Sequence, residues 1–335
     1  MGYGDIPLWL SLVFVIGGFA ALAWSSDLFV DGAAALARAF GISPFIVGMV
    51  IIGFGTSAPE LCVSAMSGLS GHAHVSLGNA YGSCIFNITA ILGIASLIRP
   101  IVVKRTIITV AVPILALLTV LSAYLLRDGA CSRAEALLLL AVFAVVMPFY
   151  CWYDQKANGV SAKSADEADP ASRSSGSLTM ASVKMLAGLA ILIASSHFLV
   201  WGSVDLARTF GVSELVIGLT IVAIGTSLPE LASAVASARR GEHEFVLGNI
   251  VGSNLFNTLA VVGVASSLSP FSGCSRFIIM RDLPAILCTS LSIALFGANF
   301  RSRGESGRIN RLEGLVWILV YVVYTILLFR QEVGA

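Results

Sequence analysis

The chain carries the same unit twice. Residues 25–60 read SSDLFVDGAAALARAFGISPFIVGMVIIGFGTSAPE, and residues 195–230 read SSHFLVWGSVDLARTFGVSELVIGLTIVAIGTSLPE. At the same offset of 170 residues, and without a gap, LGNAYGSCIFN (77–87) matches LGNIVGSNLFN (247–257). Across residues 25–100, 32 of the 76 aligned positions are identical. Apolar segments that match by chance repeat Leu, Val and Ala. These repeat Gly, Ser, Thr, Asn, Pro and Glu, so the fold must be two copies of one unit and its polar motifs must serve something both copies need.

The solvent for these copies is a bilayer. Only 12% of residues are charged and 57% are hydrophobic, where a soluble chain would be about a quarter charged. Apolar runs recur along the chain, each near the ~20 residues that cross a hydrocarbon core. They lack the alternation of barrel strands, so the spans are helices. Ten are expected, at about 7–24 (extending toward 40), 44–68, 76–98, 106–126, 133–153, 182–208, 214–238, 245–268, 283–300 and 311–329. Each copy then belongs to a unit of five spans, 1–154 and 182–335, joined by a Ser-, Ala-, Asp- and Lys-rich linker at 155–181. Five is odd, so the second unit enters the membrane from the opposite side. The expected fold is an all-α integral membrane protein of two inverted-topology repeats with broken helices at the midplane, an arrangement suited to secondary transport.

Charge placement orients it. With both termini outside, segments facing inward hold 14 of the 20 Lys and Arg, and outward segments hold six. The positive-inside rule favours this threading, with the linker in the cytoplasm and the chain in the cytoplasmic (inner) membrane. Six cysteines show no metal-type spacing. Cys131 and Cys274 both fall in outward loops, which leaves a disulfide between them open.

The motifs carry the chemistry. In GTSAPE (55–60) and GTSLPE (225–230), Pro59 and Pro229 remove a backbone donor and clash with the carbonyls of Gly55 and Gly225. Those carbonyls become available to another partner. Thr56 and Glu60, like Thr226 and Glu230, lie four apart on one face with Ser57 or Ser227 beside them. In GSCIFN (82–87) and GSNLFN (252–257), Ser83 with Asn87 and Ser253 with Asn257 add neutral oxygens at the same spacing, and Gly82 and Gly252 allow close helix approach. Two carboxylates with many neutral oxygens suit hard cations, which want about 6–8 such ligands. No His or Cys is repeated between the motifs, so calcium or sodium fits and zinc or copper does not. The competing account makes both glutamates ties between helices. It explains one buried acid more readily than two in identical proline-broken contexts.

GTSxPE followed by LGNxxGSxxFN, present twice, resembles the alpha repeats of the cation/calcium exchanger superfamily, and within it the bacterial and archaeal sodium/calcium exchanger-type antiporters. The resemblance spans essentially the whole chain. It implies alternating access, with the first and sixth helices sliding across a central bundle. It also implies calcium ligation by the Glu60 and Glu230 carboxylates and the carbonyls of Thr56 and Thr226. Sodium ligation would fall to Thr56, Ser57, Ser83, Thr226, Ser227 and Ser253 with the carbonyls of Gly53 and Ala223. Asn87 and Asn257 occupy the central amide or acid positions; some members carry an aspartate there, and this chain has none. An empty site of charge −2 is neutralised by one calcium or two sodium ions, and a third sodium would make exchange electrogenic.

A calcium/proton antiporter, in which the glutamates release protons, is the first rival reading, and a cation channel is the rival from another class. Channels usually build carboxylate rings from identical subunits, whereas both halves of this site lie in one chain, so a monomer in the lipid bilayer is the expected working unit. No nucleophile–base pair, phosphate-binding loop, nucleic-acid surface or cofactor motif is visible, and the expected partners are the transported calcium and sodium ions. Ser132-x-x-Glu135 and Asn310-x-x-Glu313 read as capping boxes, and Ser43–Pro44 as a helix start. Asp205 and Arg208 are spaced for an ion pair at the membrane interface, and His72 and His74 for a solvated loop. Asp27 and Asp31 have no acidic counterpart in the second copy.

Overall fold

The computed structural model describes residues 7–69, 73–157, 175–211, 223–298 and 307–333. They are almost entirely helical. The first helix, α1, runs unbroken over Leu8–Phe40, so the apolar run does continue to residue 40. It is followed by a bent pair, α2 (Pro44–Thr56) and α3 (Ala58–Leu69). Next come α4 (Ser76–Ile98), α5 (Ile107–Leu125), α6 (Arg133–Ala157) and α7 (Ser175–Thr209). A single turn at Ala223–Gly225 leads into α8 (Leu228–Arg240), then α9 (His243–Leu268), α10 (Ile278–Gly297) and α11 (Arg311–Val333). Eight of these helices are long and apolar enough to cross a membrane, and the bent pair makes nine among the described residues. The remaining expected span, 214–238, begins in residues outside those described; its second half is α8.

Local chemistry accounts for several boundaries. Ser43 accepts the Ile46 N–H at 3.2 Å ahead of Pro44, as its sequence suggests. Glu135 Oε2 accepts from Ser132 N at 2.8 Å while Ser132 Oγ accepts from Glu135 N at 3.3 Å, a complete capping box. Glu313 likewise accepts from Asn310 N. The ninth expected span starts at residue 278, not 283. Its charged pair is neutralised locally: Arg281 Nε donates to Asp282 Oδ1 at 2.6 Å, and Tyr324 Oη donates to the same oxygen at 3.0 Å. A π-helical stretch at Ile278–Asp282 then absorbs Pro284, as one at Ile107–Ala111 absorbs Pro113. A wider turn spares the clash that an interior proline would cause. Within the range expected for the linker, 155–181, α6 reaches residue 157 and α7 begins at residue 175.

At the centre lie α4 and α9. The apolar window of α9 is fully buried and that of α4 is 78% buried, against 22% for α1. Their polar motifs lead into π-helical turns, Asn87–Leu92 and Phe256–Val261. Gly248 and Gly252 of α9 bring that helix against the backbone of α2: a Cβ on either would overlap the Phe45 or Met49 carbonyl oxygen. No described residue comes within 4 Å of the equivalent point on Gly82; residues 215–219, which the repeat aligns with 45–49, lie outside the described residues. On the outer side, α1 and α7 run along each other. The bare backbones of Gly18 and Gly188, and of Gly32 and Gly202, are pressed against the partner helix. Outward faces of these helices expose Trp9, Ile16, Phe19, Trp24 and Phe198, an apolar surface for lipid.

The described loops include two paired groups. Strands β1 (Ile101–Val103) and β2 (Gly307–Ile309) pair antiparallel, with Lys104 Nζ 2.7 Å from Glu244 Oε1 beside them. At the opposite end, Cys131 N donates to Phe271 O at 2.9 Å and Cys274 N to Gly129 O at 2.7 Å. Cys131 and Cys274 thus sit in adjoining loops, but both are free thiols, and burial pushes that of Cys274 up to about 11. Asp27 and Asp31, unassigned from sequence, both meet Arg240 at the end of α8. Asp205 is buried in the helix pair, where Ser11 Oγ donates to it at 2.6 Å. His72 falls outside the described residues, and only the backbone of His74 is described.

Candidate functional site

Each GTSxPE motif breaks its helix at the serine. α2 ends at Thr56, Ser57 takes φ −82° and ψ 5°, and α3 departs at a 45° bend. In the second copy Ser227 takes φ −93° and ψ 10° between the 223–225 turn and α8. The prolines therefore stand at the second position of a new helix, where a missing N–H costs least. The carbonyl freed in the second copy is claimed within the protein, since Ser196 Oγ donates to Gly225 O at 3.1 Å. Ser26, its counterpart, donates to Ala23 O of its own helix at 2.8 Å instead.

Glu60 and Glu230 follow in the first turns of α3 and α8, where a helix N-terminus favours negative charge. Both are fully buried. They are bound across the repeats: Ser57 Oγ donates to Glu230 Oε1 at 2.9 Å, and Ser227 Oγ to Glu60 Oε1 at 3.0 Å. Each break supplies a hydroxyl to the other's acid, which brings the two breaks face to face. The second oxygen of each carboxylate, Glu60 Oε2 and Glu230 Oε2, is buried without a hydrogen-bond partner among the described residues. No Lys or Arg pairs with either acid among those residues. Two buried acids lacking a basic partner are costly in a membrane unless a cation or protons accompany them.

Of the other expected residues, Ser83, Ser253, Thr56 and Thr226 bond to the two breaks or to the asparagines beside them. Ser83 Oγ lies 3.1 Å from Ser227 Oγ. Ser253 Oγ lies 3.5 Å from Gly53 O and 3.4 Å from Asn249 Oδ1. Thr56 Oγ1 donates to Ile52 O at 2.9 Å, with Asn249 Oδ1 at 3.3 Å, and Thr226 Oγ1 donates to Asn79 Oδ1 at 3.3 Å. Asn87 and Asn257 are fully buried at the α4–α9 crossing. Ala223 opens the turn before the second break, and its side chain lies outside what is described.

Sequence reasoning passed over Asn79 and Asn249, the asparagines of the two LGN triplets. Asn249 Nδ2 donates to Glu230 O at 3.2 Å and to Ser233 Oγ at 3.0 Å. Asn79 Nδ2 reaches Glu60 O at 3.5 Å and Ser64 Oγ at 3.2 Å. Each thus ties its own repeat's broken helix to the other repeat's threonine. Their recurrence at the 170-residue offset was a usable signal.

The whole chain matches known proteins. Residues 10–152 and 181–330 match the sequence profile of the family described as sodium/calcium exchanger protein. A relative named putative antiporter CaxA, from Alkalimonas amylolytica, is 38% identical over 331 residues, covering 96% of this chain and 99% of its own. The sodium/calcium exchanger MaX1 of Methanosarcina acetivorans is 27% identical over 363 residues, covering 96% and 97%. Among solved structures, the sodium-calcium exchanger NCX_Mj soaked with 10 mM Na+ and zero Ca2+ superposes with a TM-score of 0.82 at 28% identity, covering 95% of this chain and 98% of its own.

Proposed function

This chain belongs to the sodium/calcium exchanger protein family, and from that premise we propose that it moves calcium against sodium by alternating access through ten spans in two inverted repeats of five. The observation that carries the reading is the pair of buried carboxylates. Each has one oxygen held by the opposite repeat's serine and the other without a partner among the described residues. Those two free oxygens are what a divalent cation needs to replace its water, and the surrounding hydroxyls and carbonyls make up the count.

In this reading Glu60 and Glu230 bind calcium with the carbonyls of Thr56 and Thr226. Ser57, Ser83, Ser227, Ser253, the threonine hydroxyls and the carbonyls of Gly53 and Ala223 complete sodium sites, and Asn87 and Asn257 lie at the centre. Because the two acids belong to different repeats, one displacement between repeats opens the site to one side and closes it to the other. The charge-rich end, with Arg99, Lys104, Arg239, Arg240 and Arg308, faces the cytoplasm on the positive-inside rule, and the residues after 157 connect the two units there.

The test is calcium uptake into proteoliposomes. Vesicles loaded with sodium should take up calcium, and vesicles given only a pH gradient should not. Uptake driven equally well by the pH gradient alone would replace sodium with protons as the coupling ion.

A further inference from the structure

The two repeats are unequal at their centre. The offset of 170 aligns Asn87 with Asn257, and Cys84 with Asn254. Where α4 crosses α9, the latter two residues exchange bonds. Asn254 Nδ2 donates to Cys84 O at 3.2 Å, and Cys84 Sγ donates to Asn254 O at 3.7 Å. A carbonyl only accepts, so the first bond fixes which way the Asn254 amide faces. Its Oδ1 points the other way, where Asn87 Nδ2 donates to it at 3.0 Å. That bond fixes Asn87 in turn. Its nitrogen is occupied, and its Oδ1 is buried with no partner among the described residues.

The repeat assigns the same duty toward Asn257 to Cys84, but a thiol has no second arm. Its single proton is within reach of Asn254 O and Thr258 Oγ1. Asn257 is left with neither its amide nitrogen nor its oxygen bonded among the described residues. Among the described residues, one central asparagine is therefore clamped and the other is not.

We propose that Asn254 is a positioning residue for transport, holding Asn87 so that its oxygen, and not its NH2 group, is presented to the cation. This rests on the reading of Asn87 as facing the ion site. A cation is attracted to a carbonyl oxygen and repelled by an amide N–H. An unclamped asparagine must be turned and held at the moment of binding, whereas Asn87 is already turned. Asn257, with no such bond among the described residues, is the arm left to follow the change between one divalent and several monovalent ions.

The experiment compares Asn254→Cys, Asn254→Ser, Asn87→Ala and the Asn254→Cys/Asn87→Ala double variant, by calcium uptake into sodium-loaded proteoliposomes with thermal melting alongside. Asn254→Cys and Asn254→Ser should raise the half-saturating calcium concentration by about three- to tenfold, the worth of one lost hydrogen bond, while the saturated rate stays. In the Asn87→Ala background, Asn254→Cys should add nothing. An equal further loss there, unchanged affinity in the single variants, or failure of both single variants to fold would overturn the positioning role. If Asn87→Ala itself binds calcium as the wild type does, the reading of Asn87 fails, and with it the premise.

Discussion

The central crossing of α9 with α2 and the outer pair of α1 with α7 are both closed by glycine, yet they are attached to the molecule in opposite ways. At the centre, Gly248 and Gly252 press one repeat's backbone onto the other's. Around them Ser57, Ser227, Thr56 and Thr226 each bond to a side chain of the other repeat. In the outer pair, Gly18, Gly32, Gly188 and Gly202 press α1 and α7 onto each other. The polar ties from that pair to the bundle include Ser196 to Gly225 and Arg240 to Asp27 and Asp31. The centre is fastened to itself in many places. The outer pair is fastened to itself and tethered to the rest. That is the mechanical difference the proposed alternating access would require of a sliding element.

The largest effect comes from striking the centre alone. Glu60→Gln and Glu230→Gln should each reduce calcium uptake to background while the purified protein stays monodisperse. Glutamine keeps the size and one carbonyl oxygen but loses the charge that offsets calcium dehydration and the bidentate carboxylate. If the acids were only ties between helices, neutralising them would lower the burial cost and leave transport intact. The two accounts differ in sign, and a folded mutant exchanging at the wild-type rate would remove the carboxylate pair from the mechanism.

Next come the glycines themselves. Gly252→Val drives a branched side chain into the Met49 carbonyl, with fixed backbone on both sides, and should cost about 3 kcal/mol or more, the upper end of overpacking. Gly188→Ala meets Phe29 N at 2.6 Å, but α7 borders lipid and can shift outward. Its cost should be nearer 1 kcal/mol. Melting in detergent measures both. An equal or reversed order would show that the outer pair is as confined as the centre.

Much of this was legible because the chain states it twice. The breaks, Glu60, Glu230, Ser57 and Ser227 could be read from recurrence, and their cross-repeat pairing follows from two like motifs meeting head to head. What escaped was whatever the second copy does not repeat. Asp27 and Asp31 align with His197 and Trp201, and Arg240 aligns with Ser70, so no comparison of copies could join residues 209 apart. Asn254 was silent for the same reason, since its counterpart is Cys84. The start of α10 escaped through a different cause. Arg281 and Asp282 look like a loop until Tyr324, from a distant helix, shares their charge. Asn79 and Asn249 were repeated and still passed over, because an asparagine beside a glycine reads as turn chemistry until the structure sets it against a carboxylate's backbone.

The smallest effect tests the tether. Arg240 bridges Asp27 and Asp31 of α1 from the end of α8. Its side chain is 30% exposed and its partners 41% and 53%, so it works in a solvated setting where such pairs are worth about 0.2–1 kcal/mol. Removing it should leave ion affinity unchanged and destabilise this arrangement of α1 relative to the displaced one that the proposed alternating access requires. A penalty of that size shifts the population by at most about fivefold. Spin labels on α1 and α8 should show the distance distribution of Arg240→Gln moving toward a second position. The shift should shrink as salt screens the wild-type pair. Asp31→Asn should give part of the same shift, and combined with Arg240→Gln it should add nothing, since both remove one shared contact. A distribution unmoved in Arg240→Gln would mean that α1 is held by its apolar contacts alone, and the contrast between a fastened centre and a tethered pair would rest on glycine packing without the ion pair.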